Sequence, residues 1–256
     1  MAVEGNLDYA LARVSARHGQ RLDEGAWRRL EASRDVSHYV AAARSSALAY
    51  WVSSVEHDHD CHAIERILRG QWRRYVDGVA AWHPRVWQGW LAWLAWLPGL
   101  SLLAQLARPE AVPKWVLADP LYGPISLGTT ADRADALAHT ELAALRPAVA
   151  GGAAPGAAWS AAWQVLRPRT DIATEHFQQL LRRALEQHQQ ALLRATDGAA
   201  PLRKELANHL QSLFRAAAGT VIVTVSHLAL VALDLERLRG GLARRSLFGA
   251  NQAEHP

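Results

Sequence analysis

Between Trp82 and Ala107 the chain reads WHPRVWQGWLAWLAWLPGLSLLAQLA, with five of the eleven tryptophans and no charge between Arg85 and Arg108. Such a run has two physical solutions: a membrane span, or the buried hub of a helical protein. Val86 to Ala107 is long enough to cross a bilayer, since about 20 apolar residues suffice. Two features favour the hub. Pro98 lacks a backbone donor and clashes with the preceding turn, so Pro98-Gly99 should interrupt the helix and leave an unbroken piece, Pro84 to Leu97, too short to span. The tryptophans also sit in the middle, whereas spanning helices place them at the two interfaces. Trp87, Trp90, Trp93 and Trp96 recur every third residue, drifting backward by about 60° per step, so their rings sweep over half of a helix surface. A helix apolar nearly all round is buried on several sides. Each indole N–H also wants a partner, which places some of these four rings at an edge, facing a partner or lipid headgroups.

The rest of the chain points to helix throughout. Half of its 256 residues are apolar, which excludes general disorder and allows an ample core. Alanine and leucine dominate and β-branched residues are scarce. The one β-branched run, Thr220 to Val225, has helical flanks and reads as helix. Asp23, Asp35 or Ser37, Thr129 with Asp132, and Asp171 have the chemistry and position of helix N-caps, and Ser53 with Glu56 has capping-box spacing. Phe177, Leu180, Leu181, Ala184, Leu185, His188, Ala191 and Leu192 form one apolar side of a long helix after Asp171. Past Asp197-Gly198 and Pro201, Leu202, Leu206, Leu210, Leu213 and Ala217 open a last helix that stays uncharged from Ala216 to Ala232. It emerges as LDLERLRGGLARRSLFG. The expectation is one all-α domain over residues 1–250, a multi-helix bundle with Pro/Gly-rich connections. Its sub-bundles run over about 1–107 and 129–250, joined by the Pro-rich segment 108–128 that Trp115 pins, with a tail at 251–256. Ala148 to Ala158 reads as a flexible linker.

The formal charge of +4 is modest and scattered, so no nucleic-acid partner is required. Cys61 stands alone, which excludes an intramolecular disulfide and fits a reducing compartment. The opening MAVEGNLDYALARV lacks a basic region followed by an apolar core and is not a secretory signal. The expected location is cytoplasmic, soluble or docked on a membrane complex.

The densest polar cluster is Glu56-His57-Asp58-His59-Asp60-Cys61-His62. Histidine and cysteine are common zinc ligands, and carboxylates serve too. On a helix, however, His57 and Cys61 share one face and Asp58 and His62 another, so neither face supplies three ligands. His83 is the nearest residue that would complete a set. Read plainly, the segment is a solvated connection. A metal centred on His57, His59 and His62 is the alternative. His188 and His227 lie on apolar helices and read as core histidines. No Walker or Rossmann phosphate loop and no nucleophile elbow occurs in the sequence, so neither an enzyme nor a cofactor is expected. Glu236 and Arg239 are three apart and should pair along their helix, and Arg244 and Arg245 suit the dipole of a final turn.

Two stretches resemble a known family. Residues 8–50 carry Tyr9, Ala10, Arg13, Val14, Arg17, Gly19, Leu22, Trp27, Leu30, Tyr39 and Tyr50 in the order of a Tyr-Ala pair, an arginine-rich helix, a Gly-x-Leu turn and an aromatic-x-x-Leu helix. Residues 226–249 carry Glu236, Leu238, Arg239, Arg244, Arg245, Phe248 and Gly249 as a closing acidic, Leu-Arg, basic and aromatic-Gly series. Both are similar to the ends of the V-type ATPase C/d (V0D/AC39) family, although this chain is shorter and its tryptophan-rich middle lies outside the likeness. The resemblance implies an all-α, non-catalytic adaptor of the V-type ATPase C/d kind. Such a protein would dock on membrane-embedded subunits of an ion-translocating, proton-transporting complex, on the cytoplasmic side of the inner membrane. The tryptophan helix offers two further readings: a partner interface through Trp87, Trp90, Trp93 and Trp96, or a peripheral membrane protein that inserts this helix by itself.

Overall fold

The computed structural model describes residues 6–194 and 200–248. The expected Asp197-Gly198 turn, Gly249 and the tail at 251–256 lie outside them. All regular structure among the described residues is helical. The N-terminal part forms α1 (Leu7–Gly19), α2 (Glu24–Glu31), α3 (Val36–Arg44), α4 (Ala49–Val52) and α5 (Cys61–Ala81). The tryptophan stretch forms α6 (Arg85–Ala92), a 3₁₀ segment (Trp93–Gly99) and α7 (Leu100–Leu106). Four short helices follow: α8 (Lys114–Leu117), α9 (Thr130–Ala138), α10 (Arg146–Val149) and α11 (Pro155–Val165). Three long ones close the chain: α12 (Ile172–Arg194), α13 (Ala200–Ala216) and α14 (Ile222–Phe248).

The caps show why these helices start where they do. Asn6, Asp23, Asp35 and Asp60 each accept a hydrogen bond from a backbone N–H of the first turn of α1, α2, α3 and α5. Thr129 and Asp132 form a reciprocal capping box on α9. Asp171 accepts from the Thr174 N–H at 2.7 Å and opens α12. Ser53 makes no such box with Glu56. Its hydroxyl donates to the Tyr50 carbonyl and accepts from Gln71, and the cap of α5 is Asp60 instead.

The chain divides into two compact units, residues 1–71, 78–85 and 169–256 in one, and 72–77 and 86–168 in the other. This is not the expected division at 108–128, for the Pro-rich segment lies inside the second unit and the two ends of the chain share the first. Within the first unit α13 and α14 form a hairpin, where the sequence suggests one continuous helix. Gly219 takes a positive φ of 84° at the turn, a conformation that glycine adopts without a Cβ penalty. Thr220 then caps α14 by accepting from the Ile222 N–H. The first two turns of α14 are buried all round, and beyond them Leu228, Val231, Leu235, Leu238 and Leu242 continue as a buried stripe. The buried edge of α12 is Thr174, Gln178 and Leu181, whereas Leu180, Leu185 and Leu192 of the expected apolar side are exposed.

In the second unit the 108–128 connection is pinned by Val116, Tyr122 and Ile125, all buried, while Trp115 is half-buried. Asp119 accepts from the N–H groups of Leu121 and Tyr122. The Arg133 guanidinium on α9 donates to the carbonyls of Leu106 and Arg108, which closes the end of α7. The Gly/Ala segment from Ala148 to Ala158 is a tight helix-turn-helix, with Gly151 at φ 79° and Pro155 as the first residue of α11.

Candidate functional site

The tryptophan stretch is the core of the second unit. Trp90, Trp93 and Trp96 are buried, and Trp87 is half-buried. The 22 residues Arg85–Leu106 are long and apolar enough to cross a membrane, but 56% of their most apolar window is buried inside the protein. Helix α6 lasts 8 residues and then tightens into 3₁₀ geometry, earlier than Pro98 alone predicts. The partners of its carbonyls give a reason. Trp163 Nε1 donates to the Trp90 carbonyl at 3.0 Å, and Trp159 Nε1 to the Trp93 carbonyl at 3.2 Å. Trp93 Nε1 returns a bond to the Trp159 carbonyl at 3.1 Å. Trp72 Nε1 donates to the Leu94 carbonyl at 3.0 Å, the acceptor that Pro98 has no N–H to serve. Side chains thus replace the i+4 donors along one edge of the segment.

Ring stacking completes this layer. Trp90 and Trp163 lie parallel, 4.8 Å apart with planes 4° off, and Trp159 stacks on Trp163 at 5.5 Å. The Arg73 guanidinium covers Trp96 at 4.3 Å and also pairs with Glu141. Trp90, Trp93 and Trp96 therefore do not present the partner or membrane face expected of them. Packing against α11 occupies Trp90 and Trp93, Arg73 covers Trp96, and of the four only Trp87 keeps substantial surface. The sequence signal for this was the pair Trp159 and Trp163, four apart on a charge-free helix.

The histidine cluster is a helix-capping corner. Glu56 N–H donates to His59 Nδ1 at 3.0 Å, and Asp60 caps α5. Arg44 holds the Val55 carbonyl at 2.7 Å and the Glu56 carboxylate at 3.2 Å. His57 and His62 are exposed, and Cys61 is half-buried in the first turn of α5. No group of three or more His, Cys, Asp or Glu side chains placed to hold a metal occurs among the described residues. His83, the residue expected to complete such a set, is buried with Nδ1 at 2.9 Å from the Val79 carbonyl and Nε2 at 2.9 Å from Thr224 Oγ1. Burial lowers its pKa, so the neutral ring with the Nδ1 proton fits both bonds.

The two end stretches meet within the first unit, largely through residues outside the quoted motif positions. Arg237 of α14 reaches two carboxylates on α2, Glu31 at 2.6 and 2.9 Å and Glu24 at 2.8 and 3.0 Å, with its guanidinium 4.8 Å over Trp27. The bonds to Arg237 hold both glutamates below their ordinary pKa. Arg21, just after α1, makes a two-bond pair with Asp234 at 2.7 and 3.0 Å. Arg245 is buried against Tyr39 and donates to the carbonyls of Glu31 and Ser33, so it caps the end of α2, and it also donates to the Gly241 carbonyl in the last turns of its own helix at 2.9 Å. Glu236 and Arg239 do not pair with each other. Glu236 faces Arg203 at 3.4 Å, and Arg239 reaches Glu65 at 2.6 Å. Arg13 bonds the Tyr9 hydroxyl at 2.9 Å and stacks over Trp82 at 4.3 Å. Arg17 and Arg244 are exposed, and Gly19 is the last residue of α1. Arg21, Asp234 and Arg237, outside the quoted motif positions, are the strongest ties, and their sequence separation of more than 200 residues left no local signal.

Next to this clasp lies a histidine pair, His227 buried and His18 half-buried. His18 stacks on Phe214 at 3.8 Å and approaches His227 to 5.8 Å, with its Nε2 3.0 Å from Gln211 Nε2. Burial pushes the His227 pKa down to about 3, with help from His18 and the arginines Arg21 and Arg17. His188, the other expected core histidine, is half-buried and lines an open cleft of about 250 Å³ between α12 and α13 with Glu205 and His209.

Comparison with protein-family models, curated proteins and solved structures gives no match.

Proposed function

We propose that this chain is a non-catalytic helical adaptor, similar to the V-type ATPase C/d family, that docks on the cytoplasmic side of a membrane ion-translocating complex. The observation that carries the reading is the clasp between the chain ends. The two stretches with the family likeness are far apart in sequence, and they pack as one body through Arg237 with Glu24 and Glu31, and Arg245 with the α2 terminus. A shared end-to-end architecture would bring the two stretches together in this way. The charged side chains of the clasp are engaged in ion pairs and helix caps. The partner would be a membrane-embedded protein, and proton transport would belong to the assembled complex.

Affinity capture of the full chain from detergent-solubilised membranes tests this reading. Recovery of a polytopic membrane protein in stoichiometric amount is the expected result. Recovery of the chain alone, as a free monomer, overturns it.

A further inference from the structure

Within the first unit, imidazoles from two neighbouring segments converge on α14. His227 is buried on that helix, and His18 of α1 approaches it to 5.8 Å while stacking on Phe214 of α13 at 3.8 Å. One turn earlier on α14, Thr224 meets the buried His83 at 2.9 Å. His18 sits in this seam as the neutral ring. An amide nitrogen does not accept, so Gln211 Nε2 donates to His18 Nε2 at 3.0 Å. The ring proton is then on Nδ1, which is buried and has no hydrogen-bond partner among the described residues. The cations facing the His18–His227 pair are Arg17 on α1, Arg21 just after it and Arg215 on α13. Asp234 of α14 is committed to Arg21 by two bonds. A further proton on either ring would therefore join three guanidiniums in a largely buried seam.

We propose that this seam is an acid-operated latch: on mild acidification α1 parts from α13 and α14, which stay folded as a hairpin, and the α1 side chains Ala10, Leu11 and Val14 lose their cover. Once α1 is away, both rings meet water and take up protons, so each proton favours the open form. Burial holds His227 at about 3 in the closed form against 6.5 in water, which by itself raises the open fraction roughly thirtyfold between pH 7.5 and pH 5. Burial lowers His18 in the same sense. Asp234, raised by burial against the pull of Arg21, titrates in the opposite sense and tempers the response. The part that leaves is α1 because little else holds it. Its buried residues are Ala10, Leu11 and Val14, whereas the first two turns of α14 are buried all round. Arg237 and Arg245 tie α2 to α14 without a histidine, so the hinge falls at residues 20–22. The latch does not depend on the adaptor reading above.

Hydrogen exchange of the full chain, read by mass spectrometry between pH 7.5 and pH 5 and corrected for the intrinsic pH dependence of exchange, is the test. Peptides from α1 are expected to lose protection by roughly tenfold or more over that range, while peptides from α13 and α14 hold theirs. His227→Leu should remove most of the change in α1. His18→Phe, which keeps a ring on Phe214, should reduce it and serves as the second variant if the first does not fold. Protection of α1 that stays constant from pH 7.5 to pH 5 overturns the proposal. So does loss in α1, α13 and α14 together, which is unfolding of the unit and not release of one helix. A pH response in α1 that survives unchanged in a folded His227→Leu or His18→Phe chain overturns it as well.

Discussion

The indole of Trp72 donates to the carbonyl of Leu94, the acceptor for which Pro98 has no N–H. A residue of α5 thus repairs a helical defect 26 positions ahead of it in sequence, at a separation of 3.0 Å. Trp72→Phe removes that donor and trims a fully buried ring, and it should cost about 2–3 kcal/mol in urea unfolding. In a Pro98→Ala background the new N–H offers Leu94 a replacement, so the same substitution should cost about 1 kcal/mol less. Equal costs in the two backgrounds would show that the bond does not compensate for the proline.

Arg21 and Asp234 form a mostly buried pair, in which burial raises the Asp234 carboxyl and Arg21 opposes that rise. Arg21→Ala leaves a carboxylate without its cation and should destabilise by about 3–5 kcal/mol at neutral pH. Arg21→Met with Asp234→Leu removes both charges and should recover most of that loss. A double variant as unstable as Arg21→Ala would refute this account.

His227 makes stability fall on mild acidification. Its folded pKa, about 3, lies below the ordinary histidine value of 6.5, so the unfolded chain takes up the proton first. Its contribution is complete above pH 6.5 and shrinks as pH falls from there towards 3, by about 1.4 kcal/mol per pH unit at most. Chemical denaturation between pH 7.5 and pH 5 should therefore show a loss of about 2 kcal/mol that His227→Leu reduces. An identical pH profile in the variant would count against it.

Gly240 and Gly241 sit side by side inside α14 with opposite roles. A Cβ at Gly241 would collide with the Tyr39 hydroxyl, whereas nothing lies within 4 Å of one at Gly240. Gly240→Ala should stabilise by about 0.5–1 kcal/mol through helix propensity. Gly241→Ala should destabilise by about 1–3 kcal/mol through overpacking, and Tyr39→Leu should relieve part of it. Thermal melts of the three variants measure both signs.

The all-helical class, the caps at Asp23, Asp35, Thr129 and Asp171, and the burial of the tryptophan stretch were legible in the sequence. Each rests on short-range chemistry: propensity, a side chain within reach of its own first turn, or a long charge-free run. The candidate site was legible only as residue types. The pattern of Trp87, Trp90, Trp93 and Trp96 marked a hub, but an open face and a covered one give the same spacing. Only the packing of Trp159 and Trp163 on Trp93 and Trp90, and of Arg73 on Trp96, shows that three of the four are covered. Likewise Glu236 and Arg239 were available to each other at i,i+3, and both took cross-helix partners instead. A surface pair along one helix gains a few tenths of a kcal/mol, which any better-placed partner overrides.

Local chemistry therefore decided by itself that this chain is helical and where most of its helices begin. The tertiary structure decided the rest. It brought α14 back against α1 and α2, turned the expected last helix into a hairpin at Gly219, and divided the chain into units that do not follow its order. Those outcomes depend on contacts between residues tens to hundreds of positions apart, and their energies exist only once the chain has closed the intervening loops.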